Sequence, residues 1–158
     1  FPDASPASLP RAAVDAHIAL HLSEAAVAAW IADPERIVLV GAAADAPETL
    51  LGYAMYETAA TPEAPVTERL GDVPAGHLSK LYVLAEGRGT GLAEALVHDG
   101  VERLRRLGFR HVWLGTNAQN TRANRFYERL GFATIGARQF VVGGERVEDD
   151  WVRLLTVE

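Results

Sequence analysis

Three groups of residues are of the right type and spacing to do chemistry. The first is the turn Arg88-Gly89-Thr90-Gly91-Leu92-Ala93, between the end of an apolar run and the start of a helical one. Glycines let a bound group approach the backbone closely, and a helix N-terminus offers unpaired amides and partial positive charge, so the turn suits a phosphate. As a bare sequence it reads equally well as a tight strand-to-helix connection. The second group is a pair of proton acceptors, His77 at the start of the same run and Glu57 at the close of the preceding one. An imidazole titrates near neutrality and suits that work, while a strand-end histidine with no special role is the plainer account. The third is Tyr127, on the Ala123, Phe126, Tyr127, Leu130 face of a short helix, which turns it inward. A phenol with a pKa of about 10 donates without being ionised at neutral pH. A buried tyrosine held by a structural hydrogen bond is its ordinary reading.

Other chemistries are excluded. A dinucleotide fingerprint needs a third glycine and an acid closing the next strand, but Gly89-x-Gly91 is followed by Glu94 and the next strand ends in Thr116-Asn117. A Gly-Lys-Ser/Thr phosphate loop is absent. His17 and His21 stand four apart on a helix, yet no glutamate lies next to His17 in the H-E-x-x-H manner and no third ligand is near, so no metal is expected. With no cysteine there is no disulfide, thiolate zinc site or cysteine nucleophile, a composition compatible with a reducing cytoplasm. A net charge of -6 argues against nucleic acid, and no apolar run is long enough to cross a membrane. Lys80 is the only lysine, a bias that reads as genome composition.

The elements that must position these groups follow from periodicity and punctuation. A chain of 158 residues that is 49% hydrophobic and 23% charged fits one globular domain over 1–158, with Phe1–Pro10 extended. Helices are expected over Arg11–Leu22 and, capped by Ser23, over Glu24–Ala32. Ile37–Val40 and Leu50–Glu57 read as an antiparallel hairpin, and Thr58–Ala75 as a long loop whose Glu63, Glu68 and Asp72 would favour a cationic molecule or simply be solvated. His77–Leu84 is a strand, Gly91–Leu107 a helix with a stripe of Leu92, Leu96, Leu104 and Leu107, and Arg110–Thr116 a strand. A helix over Thr121–Leu130 and a hairpin of Ala133–Val142 and Arg146–Thr156 complete the chain, with Trp30, Trp113 and Trp151 as core. Simple alternation puts His77, Ser79, Leu81 and Val83 on one face and Leu78, Lys80 and Tyr82 on the other. Strand, helix, strand in the middle and hairpins at the flanks give a mixed α/β sheet, not a doubly wound parallel one.

Leu81-Tyr82-Val83 followed by Arg88-x-x-Gly91-x-Ala93 resembles the pyrophosphate motif, (Gln or Arg)-x-x-Gly-x-(Gly or Ala), of the GNAT superfamily of N-acetyltransferases. Downstream, Asn120-x-x-Ala123-x-x-Phe126-Tyr127-x-x-x-Gly131-Phe132 resembles that superfamily's second motif, and the likeness runs from about Arg11 to the end. The family's first strand precedes the helix at Arg11, and Phe1–Pro10 is a poor candidate for it. The resemblance implies an α/β (α+β) fold with a mostly antiparallel sheet, a central splayed parallel pair and flanking helices. It implies acetyl-CoA as acyl donor, with pantetheine lying along Leu81-Tyr82-Val83. Amides of Gly89, Thr90, Gly91, Leu92 and Ala93 would hold the pyrophosphate, and Arg88, Arg122 and Arg125 the phosphates, though the last two also read as a solvated helix face. Asn120 and Ala123 would lie against the cofactor, Asn120 serving also as a helix cap. Tyr127 would be the general acid for the departing thiolate, and His77, or its rival Glu57, the base for a primary amine. His17 and His21 would border the acceptor. A non-catalytic acyl-CoA sensor, a longer acyl donor and a homodimer all stay open.

Overall fold

The structure, a computed structural model, describes residues 10–12, 15, 16, 22–142 and 145–158, with the side chains of 139–148 outside that description. His17, His21, the extended Phe1–Pro10 segment except Pro10, most of the Arg11–Leu22 helix and the Gly143-Gly144 turn therefore lie outside the described residues. The elements are α1 (Glu24–Ala32), β1 (Arg36–Ala43), β2 (Ala46–Glu57), α2 (Ala64–Leu70), β3 (Gly76–Val83), α3 (Leu92–Arg106), β4 (His111–Asn117), α4 (Thr121–Arg129), β5 (Ala133–Val142) and β6 (Glu145–Thr156). A short 3-10 turn, Ala85–Gly87, follows β3. One sheet runs β1-β2-β3-β4-β6-β5. Among the described residues only β3 and β4 pair in parallel, and α3 is their crossover. This is the expected mixed α/β sheet.

The helices bury what their spacing promises, with one exception. On α3, Leu96, Val97, Gly100 and Leu104 are buried against the sheet, and the three apolar side chains join Tyr56, Leu78, Val112 and Leu114 in the larger core cluster. Leu107 was expected in that stripe but is 62% exposed, because it caps the helix just before the chain turns at Gly108 (φ +96°). Gly100 has a spatial reason. The Tyr56 ring fills the place of its missing side chain, 2.0 Å from an ideal Cβ, and the Tyr56 hydroxyl donates to the Leu96 carbonyl at 3.1 Å.

The stretch Thr58–Ala75 is not all loop. Ala64–Leu70 forms α2, with Pro65 in its first turn and Gly71 (φ +60°) at its end, the punctuation that proline and glycine give a short helix. Val66 of α2 is buried with Trp113, Val152 and Leu154 in a second cluster on the other face of the sheet. Trp151 is also not core: at 37% exposed it stands two residues from the buried Arg153. Trp30 is half-buried, and only Trp113 of the three tryptophans is fully interior.

Arg153 of β6 is 2% exposed, and a buried guanidinium is costly unless every N–H is used. Its Nε and Nη2 reach Asn124 Oδ1 at 3.2 and 3.0 Å, Nη1 donates to the Phe132 carbonyl, and Nη2 meets Glu128 at 2.9 Å. Asn124 spends its own amide on the carbonyls of Asn117 and Asn120. This network fastens α4 to the sheet.

Gly100→Ala forces a methyl into the Tyr56 ring. Overpacking of about 3 kcal/mol outweighs a helix-propensity gain of about 1 kcal/mol. Urea unfolding is expected to show a net loss of about 2 kcal/mol, partly recovered when Tyr56→Leu is added.

Candidate active site

The parallel pair is joined at only two places, Gly76 with Val112 and His77 with Trp113. Beyond them β3 runs on to Val83 paired with β2, while β4 runs on to Asn117 paired with β6. The two strands therefore part. From Leu78 onward β3 has no ladder partner on its β4 side, and backbone groups so exposed need another partner.

At the open end of β3, past the 3-10 turn, lies the glycine-rich turn. Gly89 and Gly91 take φ +75° and +84°, and no atom lies within 4 Å of an added Cβ at either. Glycine is needed there for the backbone angle, and the space outside is open. Thr90 ties the turn down by donating its hydroxyl to the Gly87 carbonyl at 2.7 Å. Helix α3 opens on Gly91 without a side-chain cap, so no side chain takes up its first amides. Arg88 is exposed, and Leu92 and Ala93 are half-buried, Leu92 packing on the core.

The register of β2 and β3 skips Ser79: Met55 pairs with Lys80 and Tyr56 with Leu78. This bulge overturns the alternation expected from the sequence. Leu78, Leu81 and Val83 all face the core beneath α3. His77 lies on the opposite face, with Lys80 and Tyr82, rather than with Leu81 and Val83. Tyr82 meets Tyr53 there with ring centroids 5.5 Å apart, and the Lys80 ammonium lies 5.2 Å from the Trp30 ring centre.

His77 and Glu57, rivals as read from the sequence, form a pair. The His77 Nδ1 is 2.9 Å from Glu57 Oε2, and the imidazole stacks on Trp113 at 3.8 Å and 11°. The other carboxylate oxygen is 3.5 Å from Arg36, whose guanidinium also meets Asp33 at 3.0 Å. Burial lowers the His77 pKa below its ordinary value of 6.5, and the hydrogen bond and charge of Glu57 offset this only in part. The ring is thus neutral at neutral pH. A carboxylate can only accept, so Nδ1 carries the proton and Nε2 keeps its lone pair. Further along this face Arg138 sits over Gly115, bridging Glu63 of the α2 cap at 2.5 Å and Asp150 at 3.0 Å. Glu63 is therefore paired, not merely solvated.

Tyr127 stands edge-on to Phe126 and Phe132, at 5.2 and 5.7 Å. Its hydroxyl has no hydrogen-bond partner among the described residues. Burial first, then the neighbouring Tyr82, push its pKa up, so it stays protonated at any physiological pH. Asn120 caps α4, accepting from the Ala123 amide at 3.1 Å. Arg122 and Arg125 lie on the exposed side of that helix.

A family model described as the acetyltransferase (GNAT) family matches residues 8–132. The chain belongs to the GNAT acetyltransferase family. An uncharacterized N-acetyltransferase of Mycobacterium tuberculosis is 35% identical over 152 residues, 96% of this chain and 87% of that one. A mycothiol acetyltransferase of Parafrankia is 38% identical over 52% of this chain and 28% of its own length. Among solved structures, PaiA N-acetyltransferase from Thermoplasma acidophilum, in complex with coenzyme A, superposes with a TM-score of 0.68 at 18% identity. That match covers 94% of this chain and 80% of the other. A GNAT family acetyltransferase from Elizabethkingia anophelis with acetyl-CoA bound gives 0.61 at 12% identity, over 97% and 95%.

This GNAT acyltransferase has two functional candidates that sequence reasoning did not weigh, Lys80 and Arg138. A single signal could have found Lys80: a lone lysine inside an apolar strand. For Arg138, which depends on partners far along the chain, there was none. No group of His, Cys, Asp and Glu among the described residues is arranged to hold a metal ion.

Because Glu57 raises the His77 pKa, Glu57→Gln is expected to lower it further. Imidazole nitrogen NMR across an acid titration checks the sign. The parent titrates below 6.5 and the variant lower still.

Proposed function

We propose that this GNAT protein moves an acetyl group from acetyl-CoA to a primary amine by direct attack in a ternary complex. The observation that carries the reading is the parting of β3 and β4 beside an uncapped helix N-terminus at Gly91. An extended chain can lie against the free edge of β3, and a diphosphate can be held where backbone amides are unspent and no side chain intrudes. The residues present fit acetyl-CoA, which serves here as a substrate that supplies the acyl thioester.

Main-chain groups of Leu81, Tyr82 and Val83 would take the pantetheine amides and the acyl carbonyl. An amide directed at the carbonyl oxygen stabilises the negative charge that grows there during attack. Amides from Gly89 through Ala93 would bind the diphosphate, with Arg88, Arg122 and Arg125 as side-chain contacts and Asn120 and Ala123 flanking. His77 Nε2 would take the proton of the amine, directly or through water. Glu57 acts through His77, fixing its tautomer and orientation. Tyr127 would donate to the departing thiolate, a role that suits a hydroxyl with no protein partner and a raised pKa.

The amine would approach on the His77 face, between α1 and α2. Its identity as a small molecule or a peptide amine is the part that an acceptor screen decides. The mycothiol acetyltransferases share only 28% of the Parafrankia protein's length with this chain, so their acceptor is not carried over. We read 1–158 as one acyltransferase domain working in the cytoplasm.

Thiol release measured across a panel of amines is expected to continue through many turnovers per chain only when acetyl-CoA and an amine are both present. A protein that binds acetyl-CoA and releases no thiol with any amine would be a sensor instead. Tyr127→Phe is expected to keep acetyl-CoA affinity while kcat falls about 100-fold or more. Gly91→Glu is expected to lose that affinity, since it adds strain and negative charge at the diphosphate. The acid limb of kcat/KM should have its midpoint below 6.5, because protonating His77 removes the base.

A further inference from the structure

The chain has one lysine, and the fold places it on the His77 face of the sheet, where the acceptor is proposed to approach. Lys80 stands on β3 next to Leu81, and the skip at Ser79 turns it to the same face as His77 although the two are three residues apart. On a regular strand that odd spacing would have put them on opposite faces. Its Nζ lies over the Trp30 ring of α1 at 5.2 Å, and Lys80 makes no hydrogen bond or ion pair among the described residues. Since that nitrogen is held by one cation–π contact, it can swing away at small cost. Burial lowers its pKa, with Arg36 adding to the effect and Glu57 opposing it. The uncharged, nucleophilic form is therefore more accessible here than on an exposed lysine.

We propose that Lys80 is an internal acceptor: in the absence of an external amine the protein acetylates its own Lys80, once per chain. The inference rests on the acetyl-CoA reading above. The Lys80 amine, in its neutral form, attacks the thioester carbonyl carbon and the new C–N bond forms. The C–S bond breaks and coenzyme A leaves as thiolate. The proton lost by Nζ passes to His77 Nε2 and the thiolate takes one from Tyr127; exchange with solvent then removes the proton from His77 and restores that of Tyr127, so the sum is acetyl-CoA plus lysine giving acetyl-lysine plus free thiol. Tethering on the strand that binds the thioester substitutes for the capture of a separate amine. The product is an uncharged amide in place of the cation over Trp30, which changes the charge of the cleft that external amines must enter.

The test incubates the full chain with acetyl-CoA and no other amine, then reads intact mass and the peptide bearing Lys80. One acetyl addition, located on Lys80, is expected, at least about tenfold faster than in the same chain unfolded in urea and slowed by Tyr127→Phe. Equal rates in the folded and unfolded chain would overturn the proposal, as would an adduct on the N-terminal amine in place of Lys80. An unmodified Lys80 in a protein that acetylates an external amine overturns this inference alone. An unmodified Lys80 with no thiol release to any amine overturns both it and the function on which it rests.

Discussion

The separation of two parallel strands after a single short contact is the constraint on which the rest of the molecule depends. Strands in a sheet stay together because each backbone group needs a partner, so a pair that opens must have its loose edge supported elsewhere. Here β3 is supported by β2 on one side along nearly its full length, and β4 by β6. The last rung is braced by packing. Gly76 lets Leu104 of α3 press against the backbone where a Cβ would stand, and Trp113 carries the His77 ring on its face. A firm hinge at one end and free edges at the other hold the two strands apart beyond it.

The sheet also keeps two kinds of chemistry apart. One face carries α3, α4 and the larger core, and it presents the helix N-terminus and the Tyr127 phenol. The opposite face carries charge: the Arg36, Glu57, His77 line and the Arg138 ion pairs with Glu63 and Asp150. His77 and Tyr127 are held at different basicities, His77 drawn down and Tyr127 pushed up, because each has its own surroundings.

Much of this was legible in the chain itself. Helix α3 announced itself by its apolar period, the turn by Gly89 and Gly91, and the inward side of α4 by the spacing of Ala123, Phe126 and Tyr127. Those features are local, and local chemistry determines them. What alternation could not foresee was the skipped residue at Ser79, because a bulge is a property of the pair of strands, not of either one. That one step moved His77 to the other face and made Glu57 its partner instead of its competitor. Helix α2 was hidden for a different reason. Its seven residues are too few to show a period, and only Pro65 and Gly71 marked its ends. Trp151 and Leu107 look like core by type and are not, since hydrophobic residues also occupy surfaces.

The interior guanidinium of Arg153 has a consequence for how such a chain can drift. Its donors are satisfied by one short stretch of chain, Asn124 and Glu128 of α4 and the Phe132 carbonyl just beyond that helix. Replacing Asn124 or Arg153 strands the other, both being buried, whereas exchanging the pair for well-packed apolar side chains can be nearly neutral. Positions 124 and 153 are therefore bound to a shared history: change at one is tolerated only in the company of change at the other, and the helix that carries Tyr127 inherits that conservatism.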